Sequence, residues 1–147
     1  MASPAPPAGA VILERKAMAP PTILETVLYV PDLAAAERFY GRLLGVETYA
    51  KAEGRHVFFK LERQMLLIFD PAATRQPSTG RLPVPPHGAE GEGHVCFSAA
   101  PAGLEAWRRR ITEMDLAIEA DFEWPGGGRS IYIRDPEARD PRRRDLV

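Results

Sequence analysis

Residues 23–45 read ILETVLYVPDLAAAERFYGRLLG, and this stretch decides the fold. Its first eight residues are β-branched, aromatic or aliphatic around one acid, and alternation puts Ile23, Glu25, Val27 and Tyr29 on one face of a strand. Pro31 stops that strand, because it lacks the N–H a ladder needs, and Asp32 is placed to cap a helix. Leu33, Ala36, Phe39, Tyr40, Leu43 and Leu44 then recur at helical spacing, with Arg42 in the last turn. Gly45 supplies a left-handed stop. The spacing predicts a strand, a turn and an amphipathic helix in immediate succession.

Working outward, Val46–Lys51, Val57–Leu61 and Met65–Phe69 read as short strands, with turns near Gly54 and Glu62–Gln64. Pro71–Gly93 is dense in proline and glycine and long for a plain connection, which marks a functional loop or a linker. Gly91 lies there, in a loop expected to adjust freely. The pattern then restarts. His94–Ala99 reads as a strand, and Leu104, Trp107, Ile111 and Met114 mark a second amphipathic helix, with Arg108–Arg110 on its wet face. Ala117–Trp124 and Arg129–Arg134 read as two more strands across a glycine turn. The unit thus recurs after roughly 70 residues. The expected class is α+β: two βαβββ modules whose curved mixed sheets enclose a cavity. Each module alone leaves a sheet face uncovered, so two must pair, within the chain or between chains.

The expected organisation is a flexible Pro/Ala-rich tail at 1–21 and one domain at 22–147. Within it, module one covers about 22–70, the linker about 71–92 and module two about 93–147. The net charge of −1 gives no reason to expect nucleic acid or an anionic membrane as partner. No apolar run approaches the roughly 20 residues of a membrane span. One cysteine, Cys96, rules out an internal disulfide framework and suits a reducing compartment; with no export pattern at the N-terminus, a cytoplasmic location is expected.

Three stretches resemble the vicinal-oxygen-chelate superfamily, which includes glyoxalase I, bleomycin- and fosfomycin-resistance proteins and extradiol dioxygenases. They are 23–45 with its Asp-Leu, Phe-Tyr and Leu-Gly signature, Gly93–Phe97, and Gly128–Pro136 with its Asp-Pro turn. The resemblance implies paired βαβββ modules around a cavity, often in homodimers, and a small-molecule substrate or ligand. In metal-binding members, ligands come from the first strand of each module and from the last strand of one or both. By position the resemblance makes Glu25 and His94 ligands of a divalent ion (zinc, nickel, manganese or iron(II)). Carboxylate and neutral imidazole both suit such an ion. The plain readings stay open: Glu25 facing solvent or an arginine, and His94 as a hydrogen-bonded core or rim residue. Met65–Phe69 holds no ligand where glyoxalase I carries one, which disfavours that activity.

After Glu137 the resemblance stops. Counted without a gap, Arg142 falls where the family places its last glutamate ligand; a three-residue insertion brings Asp145 there instead. A guanidinium at that place repels a cation. As substrate-binding residues, Trp124 and Tyr132 could stack on a flat ligand, Arg129 could hold an anionic group, and His87 could close over the cavity from the long loop. Core, interface or solvent roles for these four stay open, and Cys96 reads as a small buried thiol. No phosphate loop, nucleophile elbow, Cys-x-x-Cys or His-Glu-x-x-His motif is present. Two functions follow. One is a metalloenzyme in which the ion polarises neighbouring substrate oxygens. The other is a metal-free protein that sequesters a small molecule, as in bleomycin resistance.

Overall fold

The computed structural model of the chain describes residues 19–135 and Val147. The first module forms as read. Strand β1 (Glu25–Tyr29) leads into helix α1 (Leu33–Leu44), followed by β2 (Thr48–Ala52), β3 (His56–Lys60) and β4 (Met65–Phe69). The Asp32 carboxylate accepts from the Ala35 N–H at 3.0 Å, satisfying a donor the first turn leaves open. Gly45 ends the helix at φ +65°, and its N–H donates to the Gly41 carbonyl. The four strands form one sheet in the order β1-β4-β3-β2, with β1 parallel to β4 and the other pairs antiparallel.

Residues directly opposite across a ladder share a face, so the register sorts the side chains. Leu28, Val57, Phe59, Leu66 and Ile68 point to α1 and are buried with Phe39, Tyr40 and Leu43. Burying one such side chain contributes about 1.5–3 kcal/mol. The opposite face carries Glu25, Val27 and Tyr29, then Leu67 and Phe69, then Phe58 and His56, and among the described residues neither α1 nor the second module's helix lies on it.

The long loop is more ordered than expected. It opens with a short helix α2 (Pro71–Thr74) whose start is capped by the Asp70 carboxylate at 2.8 Å from the Ala72 N–H. An Arg75–Glu90 ion pair at 2.7 Å ties its two ends together.

In the second module a single 3-10 turn (Pro101–Gly103) precedes α3 (Leu104–Glu113), and β5 (Ile118–Glu123) pairs antiparallel with β6 (Arg129–Ile133). Three expectations are corrected here. His94–Ala99 is not a laddered strand; only His94 makes an isolated bridge, and Val95 and Phe97 turn into the core while Cys96 is exposed. The arginines of α3 are not simply a wet face. Arg108 pairs with Asp121 of β5, and Arg110 donates to the Leu43 carbonyl at 3.0 Å, tying α3 to the end of α1. Gly91 has φ +107°, so it is constrained rather than free. One core, containing Leu43, Val95, Ile111 and Ile133, spans both modules. The tail expected to be flexible falls mostly outside the described residues, as do Arg142 and Asp145. Among the described residues, no helix is long and apolar enough to cross a membrane.

Candidate functional site

Each module presents a helix-free face, and the chemistry-bearing side chains concentrate there. On the first sheet, Tyr29 of β1 and Phe69 of β4 lie side by side in register, and His56 and Phe58 of β3 complete the patch. The His56 ring stacks on Phe58 at 4.1 Å, and Phe69 meets Phe58 edge-on at 5.3 Å. The long loop folds back over this face. His87 Nδ1 and the Tyr29 hydroxyl are hydrogen-bonded at 2.8 Å, and the imidazole sits edge-on to Phe69 at 4.9 Å. Burial, and behind it the charge of Arg55, holds the His56 pKa below the ordinary 6.5. Its Nδ1 is buried without a hydrogen-bond partner. Glu25 stands exposed at the start of β1, two residues from Val27, whose register partner is Leu67.

On the second module, His94 stacks over Tyr132 at 6.1 Å, Tyr132 over Phe122 at 5.8 Å, and Phe122 leans on Trp124 at 4.9 Å. The row of rings lies on the side of the hairpin away from α3, since Asp121, one residue out of phase with Phe122, is the residue Arg108 of α3 holds. Trp124 is fixed by its indole N–H donating to the Ser130 hydroxyl at 2.9 Å. Beside this face, a cavity of about 610 Å³ is lined by His94, Cys96, Phe97 and Ala99 on one side and by residues 127–133 on the other. Leu104, Trp107 and Ile111 of α3 also line it, with Leu43 and Val147.

Of the residues singled out in the sequence, His94, Tyr132 and Arg129 line this cavity, and Trp124 stands at the end of the ring row. Glu25 and His87 belong to the first sheet's face instead. The Arg129 guanidinium is engaged by Asp121 at 2.6 Å and Glu123 at 3.4 Å, so its charge is already largely compensated. Those contacts hold the Asp121 carboxyl below the usual range, Arg129 first and Arg108 behind it. Sequence reasoning missed His56, Phe58, Phe69 and Phe122. The alternation within β3 and β5 carried the signal, but assigning the face required the register.

The donors test a metal directly. Glu25 and His94 are suitable types with exposed side chains, yet among the described residues no three His, Cys, Asp or Glu side chains converge. One chain's described donors therefore do not make a metal centre on their own.

The family model for the Glyoxalase/Bleomycin resistance protein/Dioxygenase superfamily matches residues 22–141. The chain belongs to that superfamily. Its modular α+β fold agrees. A lactoylglutathione lyase structure from Agrobacterium tumefaciens is 41% identical, covering 88% of this chain and 93% of that one, with a TM-score of 0.74. Two more distant superfamily structures share the fold alone. A glyoxalase/bleomycin resistance protein from Catenulispora acidiphila is 18% identical at TM-score 0.53, covering 85% of this chain and 93% of its own. A fosfomycin resistance protein from Listeria monocytogenes is 14% identical at TM-score 0.54, covering 88% and 90%. No curated protein matches the chain.

Proposed function

We propose that this protein is a small-molecule enzyme of the superfamily, and that its centre forms between two copies. Glu25 on the first-module face of one protomer and His94 on the second-module face of the other would hold a divalent ion of zinc, nickel, manganese or iron(II). Such an ion, when bound, supplies Lewis-acid polarisation of two neighbouring substrate oxygens. The chain's own residues supply the rest of the site. The Tyr132–Phe122–Trp124 row stacks a planar part of the substrate, and the His87 loop, latched to Tyr29, walls off water. The observation that carries this reading is the 41% identity, over 88% of the chain, to a protein named as a lyase. That relative's substrate is not carried over, because Leu67, an apolar residue, fills the β4 position where the glyoxalase I pattern carries a ligand.

The absence of a third described donor beside the ring row favours a second reading, a metal-free protein that sequesters a flat aromatic or cationic molecule. Metal content of purified protein, with calorimetric titration of each ion into the native chain and a His94→Ala variant, separates the two. The enzyme reading expects near-stoichiometric tight binding that His94→Ala abolishes. No binding by the native chain, with Trp124 fluorescence quenched by planar cations, would establish the sequestering protein instead.

A further inference from the structure

We propose that the long loop is a lid on the first-module face that acid releases, with His56 as the sensor at its root. This builds on the reading of the loop as a wall of the site and concerns how that wall opens. The root is a junction of residues adjacent in register. His56 and Phe69 are the last pair of the β3–β4 ladder before the chain leaves the sheet. Just beyond them the Asp70 N–H donates to the Arg55 carbonyl at 3.0 Å. Asp70 also caps α2, so the first turn of the loop hangs from this junction. From α2 the Thr74 carbonyl accepts from the His87 N–H at 3.1 Å, and the His87 ring returns to Phe69. Phe69 therefore carries one imidazole from the strand and one from the loop, both edge-on, at 5.9 Å and 4.9 Å.

His56 is poised to move when it gains a proton. Its ring is stacked on Phe58, and its buried Nδ1 has no hydrogen-bond partner among the described residues. Neutral imidazole tolerates this, because the proton can sit on Nε2 and leave Nδ1 bare. Imidazolium does not, since both nitrogens then carry hydrogens. A buried donor without an acceptor costs roughly five- to hundredfold in the equilibrium. The charge resting on the Phe58 face recovers only about two- to fivefold, so desolvation wins. The surrounding groups do not reverse this. Across the ladders β2 offers Ala52 and β4 offers Phe69, neither of them charged. Lys51 is turned to Glu37 of α1, and Glu53 in the β2–β3 turn is exposed. Arg55 adds a like charge, and the Asp70 carboxylate is engaged by the Ala72 N–H. Tyr29 and His87 bond each other, as do Arg75 and Glu90. Protonation thus favours states in which the His56 ring leaves its stack for water. Phe69 then loses one of the rings that hold it in place for His87, and the lid spends more time open.

Hydrogen exchange of the native chain, read residue by residue by NMR and corrected for the intrinsic effect of pH, tests this without metal or substrate. Protection of the His87 amide should fall at least about threefold as pH drops from above to below the ordinary 6.5. The fall should level off where the His56 ring, followed through its carbon-bound protons, titrates in the folded chain. Protection of the Ile68 amide, in the central strand β4, should stay at least about tenfold higher at every pH, because the lid opens with the sheet intact. His56→Phe keeps the stack and should hold His87 protection level over the same range. Four results would overturn the inference. They are a His87 amide indifferent to pH, a fall that follows the His87 ring instead, a fall retained in His56→Phe, or equal protection of His87 and Ile68. None of them bears on metal binding by Glu25 and His94, so the two readings fail separately.

Discussion

At Gly45 the backbone turns left-handed at φ +65°, and a Cβ there would lie 3.1 Å from Nη1 of Arg110. Gly45→Ala should therefore cost about 1–2 kcal/mol, from the conformation itself and from disturbing the Arg110–Leu43 bond. Gly103 has ordinary φ and nothing within 4 Å of a new Cβ. Gly103→Ala should be neutral or slightly stabilising, and urea denaturation of both variants decides the matter. His56 makes a second residue-level prediction. Its pKa is depressed in the folded state, chiefly by burial, so below the ordinary 6.5 the unfolded chain binds more protons than the folded one. This contribution is fully present above pH 6.5 and is lost as pH falls through the folded pKa. His56→Phe keeps the ring against Phe58 and cannot titrate. Melting temperatures of the native chain should drop relative to the variant as pH falls from above to below the ordinary 6.5, and parallel curves would refute the assignment.

At the scale of elements, what was legible in the sequence was what local chemistry dictates. The Asp32 cap, α1 and the Gly45 stop coincide with the reading because each depends on neighbours along the chain. His94–Ala99 was misread because a strand needs a ladder partner, and no periodicity reveals whether one is present. The roles of Arg108 and Arg110 were hidden for the same reason: their partners, Asp121 and the Leu43 carbonyl, lie on other elements. Of the candidate site, the sequence named Glu25, His94, Tyr132 and Trp124, which sit on faces that no described helix covers; their roles are part of the proposal. The aromatic patch around Phe69 was not, because β3 had no assigned face until its register to β4 was known. The His87 loop gives this scale its prediction. Its closure over β4 rests on the Tyr29 hydrogen bond, the ring contact with Phe69 and the Arg75–Glu90 pair. Tyr29→Phe removes only the first, so trypsin should cut the exposed Arg81 site several-fold faster, with the melting temperature nearly unchanged. An unchanged cleavage rate would mean that the other two contacts hold the loop without the hydroxyl.

For the whole molecule, the arrangement of apolar surface argues for association. The helices take one face of each sheet and share a core; on the opposite faces the His87 loop covers Phe69, while Val27, Phe122 and Trp124 stay exposed. Ile23, just before β1, is 66% exposed and Val27 is 37% exposed, and on the second module Phe122 and Trp124 are 39% and 48% exposed. Large apolar side chains exposed on two faces, beside a β1 edge that no described strand pairs, are costly for an isolated chain in water. A second copy related by a two-fold axis would cover both at once, the first-module face of each protomer against the second-module face of the other. This is the arrangement that would bring Glu25 of one copy toward His94 of the other. Light scattering over a wide concentration range should give twice the chain mass. Val27 lies on the helix-free face and is 37% exposed, so Val27→Asp can be accommodated in a monomer but not in a covered interface. The variant should keep its far-ultraviolet circular dichroism, run at the single-chain mass and lose metal binding together with dimerisation. A monomeric variant that still bound metal tightly would place the ion within one chain and remove the two-copy centre.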